Sequence, residues 1–355
     1  MSQEINLEKK LSQVFNRSDV KKLESEMLTD HDEIEIFEIF GAHDLEEIDP
    51  RCFLKYTNLK IIKIIGTGIY NLPSYSFANC NYVNEIILNS NKIEQMDPQT
   101  FKGLDNLKIL IIFDNHLRHL KSNTFDDLVN LEELNLGRNQ IEIIGIDIFN
   151  NLKNLTDLIL GQNRIKKIQP KLFSKCINLK NLYLNNNLIE DFDDAAFFGL
   201  SNLKSLSLSH LNLKNIKAKI FMNCPNLQEL DLSHNQIEQM DVKSFYNLEN
   251  LKILNLKSNR ITKIKSVLFM YCYKLEKLFL ADNQIRKIGV NSFKCLTELN
   301  DLELQNNKLD ALGSNMFVEC KKLNRIKLYG NFTNEQVIQN LEGIEDLNII
   351  ILDDF

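Results

Sequence analysis

Few residues in this 355-residue chain have the type and spacing to do chemistry. His210 and His234 stand 24 residues apart with Asp231 close to the second, and two imidazoles with a carboxylate are a set that a divalent metal accepts. No fourth donor follows from the pattern, so no metal site is expected. The seven cysteines (Cys52, Cys80, Cys176, Cys224, Cys272, Cys295 and Cys320) are odd in number, far apart and without a Cys-x-x-Cys pair. That pattern argues against a zinc site and a compact disulfide framework. A catalytic thiol needs a nearby base and an environment that favours the thiolate, and no spacing here supplies them. Glycine-rich phosphate loops, the Gly-x-Ser-x-Gly elbow and the His-Glu-x-x-His zinc motif are all absent. The expectation is a chain with no catalytic residues and no cofactor. Glycosylation sequons begin at Asn16, Asn154 and Asn331, of which Asn154, in the turn before a strand, is the better acceptor.

What positions these residues is a repeat. Counting from Leu131, the pattern Leu131, Leu134, Leu136, Asn139, Ile141, Ile144, Phe149, Leu152 recurs every 24 residues from Leu59 to Leu299 without insertion or deletion. Positions one, four and six place apolar side chains inward from a short strand, and alternation sends positions three, five and seven to the opposite face. Stacked turns then form a parallel sheet. Position nineteen carries phenylalanine in every turn from Phe77 to Phe317, a column expected in the core. Position nine carries asparagine from Asn91 to Asn331, except at Leu211, with Thr67 in the slot of the first turn. An asparagine has a donor and an acceptor and can satisfy backbone groups of two adjoining turns. At Leu211 weaker hydrogen bonding or a local change of backbone is expected over Ser209–Leu213. Five of the cysteines take position twenty-two, where leucine stands in other turns, and read as buried apolar thiols.

These slots resemble the 24-residue typical class of leucine-rich repeat, as in the ectodomains of Toll-like receptors, Slit, chaoptin-type adhesion proteins and secreted insect leucine-rich immune proteins. The resemblance implies an α/β-type repeat solenoid, a horseshoe with a parallel sheet on its concave face and irregular or short helical segments on its convex face. The expected organisation is an acidic capping or linker segment at 1–34, a solenoid at 35–322 and a C-terminal capping unit at 323–355. Within the ends, Leu7, Leu11, Val14 and Phe15 have helical spacing, Asn334–Leu341 reads as a capping helix, and Leu347–Leu352 as a last strand. Residues 35–58 form a degenerate unit in which Phe40, Leu45, Ile48, Phe53 and Tyr56 are recognisable.

The resemblance further implies protein binding through the concave face, in innate immunity or cell adhesion. Rows three, five and seven place Ile61, Ile65, Ile87, Ile109, Ile111, Phe113, Ile159 and Tyr183 on that face, bordered by Glu85, Glu133 and Asp157. A protein partner with an apolar patch and a basic rim fits, and a homodimer through this face or a terminus is the other use of such a surface. The net charge of −6 offers no electrostatic reason to bind nucleic acid. It is also uneven: residues 1–58 hold 7 Lys+Arg and 14 Asp+Glu, leaving +1 for the remainder. No apolar run is long enough to span a bilayer. The resemblance implies an extracellular location. The N-terminus lacks an apolar signal region and the thiols are unpaired, which favours the alternative of an intracellular scaffold or inhibitor.

Overall fold

In the computed structural model, residues 20–28, 34–50, 52–313 and 316–331 are described. The helical spacing at Leu7–Phe15, the capping helix at Asn334–Leu341 and the strand at Leu347–Leu352 lie outside them. The chain is a parallel-sheet repeat solenoid that divides into two compact units, one of residues up to 165 with 172–179, the other of 166–171 with residues from 180 onward.

The first unit carries the strands Ile36–Phe40, Ile61–Ile65, Glu85–Ile87, Ile109–Ile111, Glu133–Asn135 and Asp157–Ile159. Each pairs with the next in parallel, so that residues 24 apart are neighbours: Glu85, Ile109, Glu133 and Asp157 lie side by side. The first step is 25 residues, Ile36 beside Ile61. On the opposite side of the turns, Asn71–Leu72 pairs with Gln95–Met96 and His119–Leu120 with Ile143–Ile144. Lys22–Leu23 adds the same kind of outer pair to Glu47–Ile48 and buries Leu23 completely.

The second unit repeats the plan with Asn181–Tyr183, Ser205–Ser207, Glu229–Asp231, Ile253–Asn255, Lys277–Phe279, Asp301–Glu303 and Arg325–Lys327. Its strands are parallel and in the same register. In both units the outer segments after the short strands are turns. The helical element among the described residues is the 3-10 turn Ser25–Met27.

Burial follows the repeat. Leu131, Leu134, Leu136, Ile141, Phe149 and Leu152 are all fully buried, and their counterparts in other turns behave alike. Within the first unit the rings of Phe53, Phe77, Phe101 and Phe125 succeed one another at 5.8–6.0 Å, and Phe149 stacks on Phe173 at 5.9 Å. In the second, Phe245, Phe269, Phe293 and Phe317 form the same column at 5.4–6.4 Å. These separations are those of favourable aromatic pairs.

The asparagine column acts as a rung between turns. Asn139 donates from Nδ2 to the Ile112 carbonyl at 2.9 Å and the Leu136 carbonyl at 3.1 Å, while its Oδ1 accepts from the Leu117 amide at 3.1 Å. Thr67, in the first such slot, donates to Asn91 Oδ1 through both its amide and its hydroxyl. At Leu211 the rung is gone, and a buried leucine fills the space. The left-handed turn there is kept: His210 has φ +52 and its amide donates to the Ser233 carbonyl at 3.0 Å, as its equivalents do. Of the two outcomes expected around Ser209–Leu213, the loss of side-chain hydrogen bonds is the one found.

A second asparagine column, at position twenty-four, escaped the sequence reading. Asn106, Asn130, Asn154 and Asn178 each donate from Nδ2 to the carbonyl 25 residues earlier at 2.8–3.1 Å. Asn154 is exposed, with its Nδ2 also donating to Asn130 Oδ1. The Asn331 amide group is half-buried and bonds to Leu304, Leu328 and Tyr329 carbonyls.

Position eight has its own rule. Ser90, Asp114, Arg138 and Gln162 in the first unit lie at φ +53 to +58, and Asn186, His210, His234, Ser258, Asp282 and Asn306 in the second at +52 to +56. Gly41, Gly66 and Gly330 take the same left-handed turn at +68 to +70. Every turn leaves the sheet through a conformation that L-residues other than glycine adopt at a cost of roughly 1–2 kcal/mol.

Candidate partner-binding face

Strand alternation decides what the sheet shows outward. In the first unit Ile61, Ile65, Glu85, Ile87, Ile109, Ile111, Phe113, Glu133, Asp157 and Ile159 are all partly exposed, whereas Ile62, Ile64, Ile86, Leu110, Leu134 and Leu158 between them are buried. Pairing brings the expected residues together in rows. Row three runs Ile61, Glu85, Ile109, Glu133, Asp157, and row five runs Lys63, Ile87, Ile111, Asn135, Ile159. In row seven Phe113 is followed by Gly137. A Cβ on Gly137 would lie 3.3 Å from both the Phe113 ring and the Ile159 Cγ2, so these two side chains close over the glycine from either side. Tyr183, the remaining expected residue, sits on the sheet face of the second unit, beside Ser207.

Phe40, one of the residues recognisable in the degenerate unit, proves to be on the outward face. It pairs with Ile65 and is 50% exposed, while Phe37 and Ile39 of the same strand point inward. The 25-residue step between the first two turns hides this from the 24-residue count. Phe40 therefore extends the apolar face by one turn.

The electrostatics of the face are lopsided. Lys63 is held by Glu38 at 2.8 Å. Glu133 has no cation beside it in its row, and its carboxyl is pushed above the ordinary range by burial first and then by the charges of Asp157 and Glu85. Apolar side chains and acidic ones therefore meet on this face, with Glu85, Glu133 and Asp157 side by side with Ile109 in row three.

The groups that could do chemistry sit elsewhere. His210 and His234 stack face to face at 4.2 Å with an interplanar angle of 5°. Burial, then His210 and Lys257, hold His234 below the usual imidazole range, against the opposing pull of Asp231 and Asp282. The Asp231 carboxylate accepts from the Ser233 amide at 3.0 Å. Among the described residues no group of three or more His, Cys, Asp or Glu is placed to hold a metal ion. Six cysteines are buried and Cys295 is half-buried. Burial pushes the Cys80, Cys176, Cys224, Cys272 and Cys320 thiols up to about 12, the opposite of what a nucleophile needs. Cys176 and Cys320 each approach the carbonyl of the column phenylalanine one turn back, at 3.7 and 3.5 Å.

A single-strand parallel ladder with a 24-residue step, a buried asparagine rung and a phenylalanine column defines a leucine-rich-repeat protein. The chain belongs to the BspA type leucine-rich-repeat family, whose model matches in six copies over residues 6–108, 94–228 and 214–345. No curated protein matches it. Among solved structures it is similar to Drosophila Toll in the Toll–Spatzle complex (TM-score 0.78, 22% identity, over 86% of this chain and 42% of that one). A leucine-rich-repeat protein of Leptospira interrogans matches at TM-score 0.73 and 23% identity over 96% of this chain and 97% of its own. TLR13, in its complex with the RNA ssRNA13, matches at 0.70 and 20% identity over 92% and 54%. The chain spans less than half of that Toll chain and about half of the TLR13 chain. At these identities the likeness is one of fold. Among the described residues no helix is long and apolar enough to cross a membrane.

Proposed function

We propose that this chain is a protein-recognition module and that the sheet face of its first unit, centred on Ile111 and Phe113, is the surface that engages the partner. The observation that carries this reading is the clustering of exposed and half-exposed apolar side chains on rows three, five and seven, from Phe40 and Ile65 to Ile159, with the carboxylates of Glu85, Glu133 and Asp157 among them in row three. Clustered apolar surface of this kind marks interaction sites, and a partner with an apolar centre and a basic rim matches it. The Toll–Spatzle complex, described as a hub in Drosophila development and innate immunity, is a precedent for a protein of this fold in a complex. On that basis immune recognition or adhesion is the setting we propose.

The test compares wild type with Ile111→Asp/Phe113→Asp in affinity capture followed by titration of the captured protein. Both substitutions are on the outward face and leave the buried Leu110 and Ile112 in place. Binding that falls at least about tenfold in a variant with unchanged melting supports the face; equal binding moves the site elsewhere on the molecule.

A further inference from the structure

The sheet face of the second unit carries a hollow that the apolar patch does not explain. Its volume is about 300 Å³, the lower end of the range for ligand sites. The sequence explains why it exists. Ser205 and Ser207 occupy rows three and five where other turns carry bulkier side chains, with Tyr183 one turn before them and Ile253 and Phe279 beyond. Glu229 and Asp231 lie directly beside the two serines.

Charge sets this hollow apart from the rest of the unit's face. Farther along, each carboxylate of rows three and five is matched by a cation in the next turn: Asp301 by Arg325, and Glu303 by Lys327 at 2.7 Å. Glu229 and Asp231 have Ser205 and Ser207 on one side and Ile253 and Asn255 on the other. Among the described residues neither forms an ion pair; Glu229 is exposed, and the Asp231 carboxylate accepts from its own turn's Ser233 amide. Two residues apart on one strand face, they stand about 6.6 Å from each other, close enough for one cation to meet both. Lys277, the nearest cation of row three, lies beyond Ile253. Tyr183 and Phe279 add two aromatic residues to the lining, a residue type that suits cations.

We propose that this hollow binds the guanidinium or ammonium group of an arginine or lysine side chain presented by an extended segment of a partner polypeptide. The hollow opens on the outward sheet face, and the half-exposed Ser205 and Ser207 hydroxyls supply polar contacts to the inserted side chain. The site is separate from the proposed apolar face and does not depend on it.

The probe is a dye-labelled pentapeptide Gly-Ser-Arg-Ser-Gly, compared with the same peptide carrying citrulline, which keeps the shape of arginine without its charge. Binding to the full chain is followed by anisotropy and mapped by backbone amide shifts. The arginine peptide is expected to shift residues 205–207 and 229–231, and to bind about tenfold more tightly than the citrulline peptide. Glu229→Gln/Asp231→Asn, which keeps the acceptor for Ser233, should remove that preference. Ile111→Asp/Phe113→Asp should leave it intact, which separates this site from the apolar face. Equal binding of the two peptides, an unchanged preference in the double variant, or no shift at these residues overturns the proposal. Arginine methylamide binding as tightly as the peptide overturns the polypeptide source in favour of a small organic cation.

Discussion

The asparagine rung offers the sharpest test of how the turns are held together. Asn139→Leu removes the two N–H donors of Nδ2, shared among the Ile112, Leu136 and Gly137 carbonyls, and the acceptor of the Leu117 amide. At about 1 kcal/mol net for each bond, roughly 3 kcal/mol is lost, and the stranded buried amide raises that figure. The leucine returns about 1.5 kcal/mol through its own burial. A net destabilisation of about 2 kcal/mol is expected. Leu211, seated in the same slot with the left-handed turn before it kept, shows that the fold accepts the side chain, so the loss should appear as energy and not as misfolding. Urea melts give the magnitude, and hydrogen exchange at Leu117 locates it. A loss below about 0.5 kcal/mol with the Leu117 amide still protected would refute the reasoning, because the rung would then be redundant with packing.

Other predictions follow from single sites. In native protein at pH 8, iodoacetamide should label Cys295 and spare the buried thiols Cys80, Cys176, Cys224, Cys272 and Cys320, whose values near 12 leave about one thiolate in 10,000; mass spectrometry of the peptides decides it. Glu133 is raised above 4.5 in the folded state, so its ionisation costs stability as pH rises through the raised value. Glu133→Gln should therefore melt higher than wild type at pH 7, with the difference gone at pH 4. Gly145→Ala should cost about 1–3 kcal/mol, since its Cβ would lie 2.6 Å from the Ser122 amide nitrogen, whereas Gly313→Ala, which meets only Met316 Cε at 3.5 Å, should melt like wild type.

The fold was legible in the sequence because each turn repeats one physical problem and one solution. Leu131, Leu134 and Leu136 state the strand, Phe149 the outer core, and Asn139 the rung; a period of 24 read from any of them gives the register of the rest. What stayed hidden was whatever broke or ignored that period. The outward place of Phe40 could not be read from the 24-residue count because its turn is one residue longer. The exposed asparagines at position twenty-four went unnoticed because surface asparagine needs no explanation until its carbonyl partner, 25 residues earlier, is seen. The apolar candidates were readable as outward-facing from alternation alone, but their degree of exposure was not. It depends on neighbours such as Gly137, over which Phe113 and Ile159 fold. The hollow beside Glu229 and Asp231 arises from small residues, Ser205 and Ser207, and small residues leave no mark in a hydrophobic pattern.

The left-handed residue at position eight acts as a filter on the history of the chain. Val, Ile and Thr are disfavoured there by their branched Cβ, and none is found; the slot holds Gly, Ser, Asn, Asp, Arg, Gln and His. Codon changes among those polar residues swap charge, size and protonation along one rim of the sheet without disturbing the turn beneath. A lineage can thus retune the electrostatics that a partner meets at this rim, one turn at a time, while the same backbone constraint keeps sticky aliphatic side chains from accumulating there.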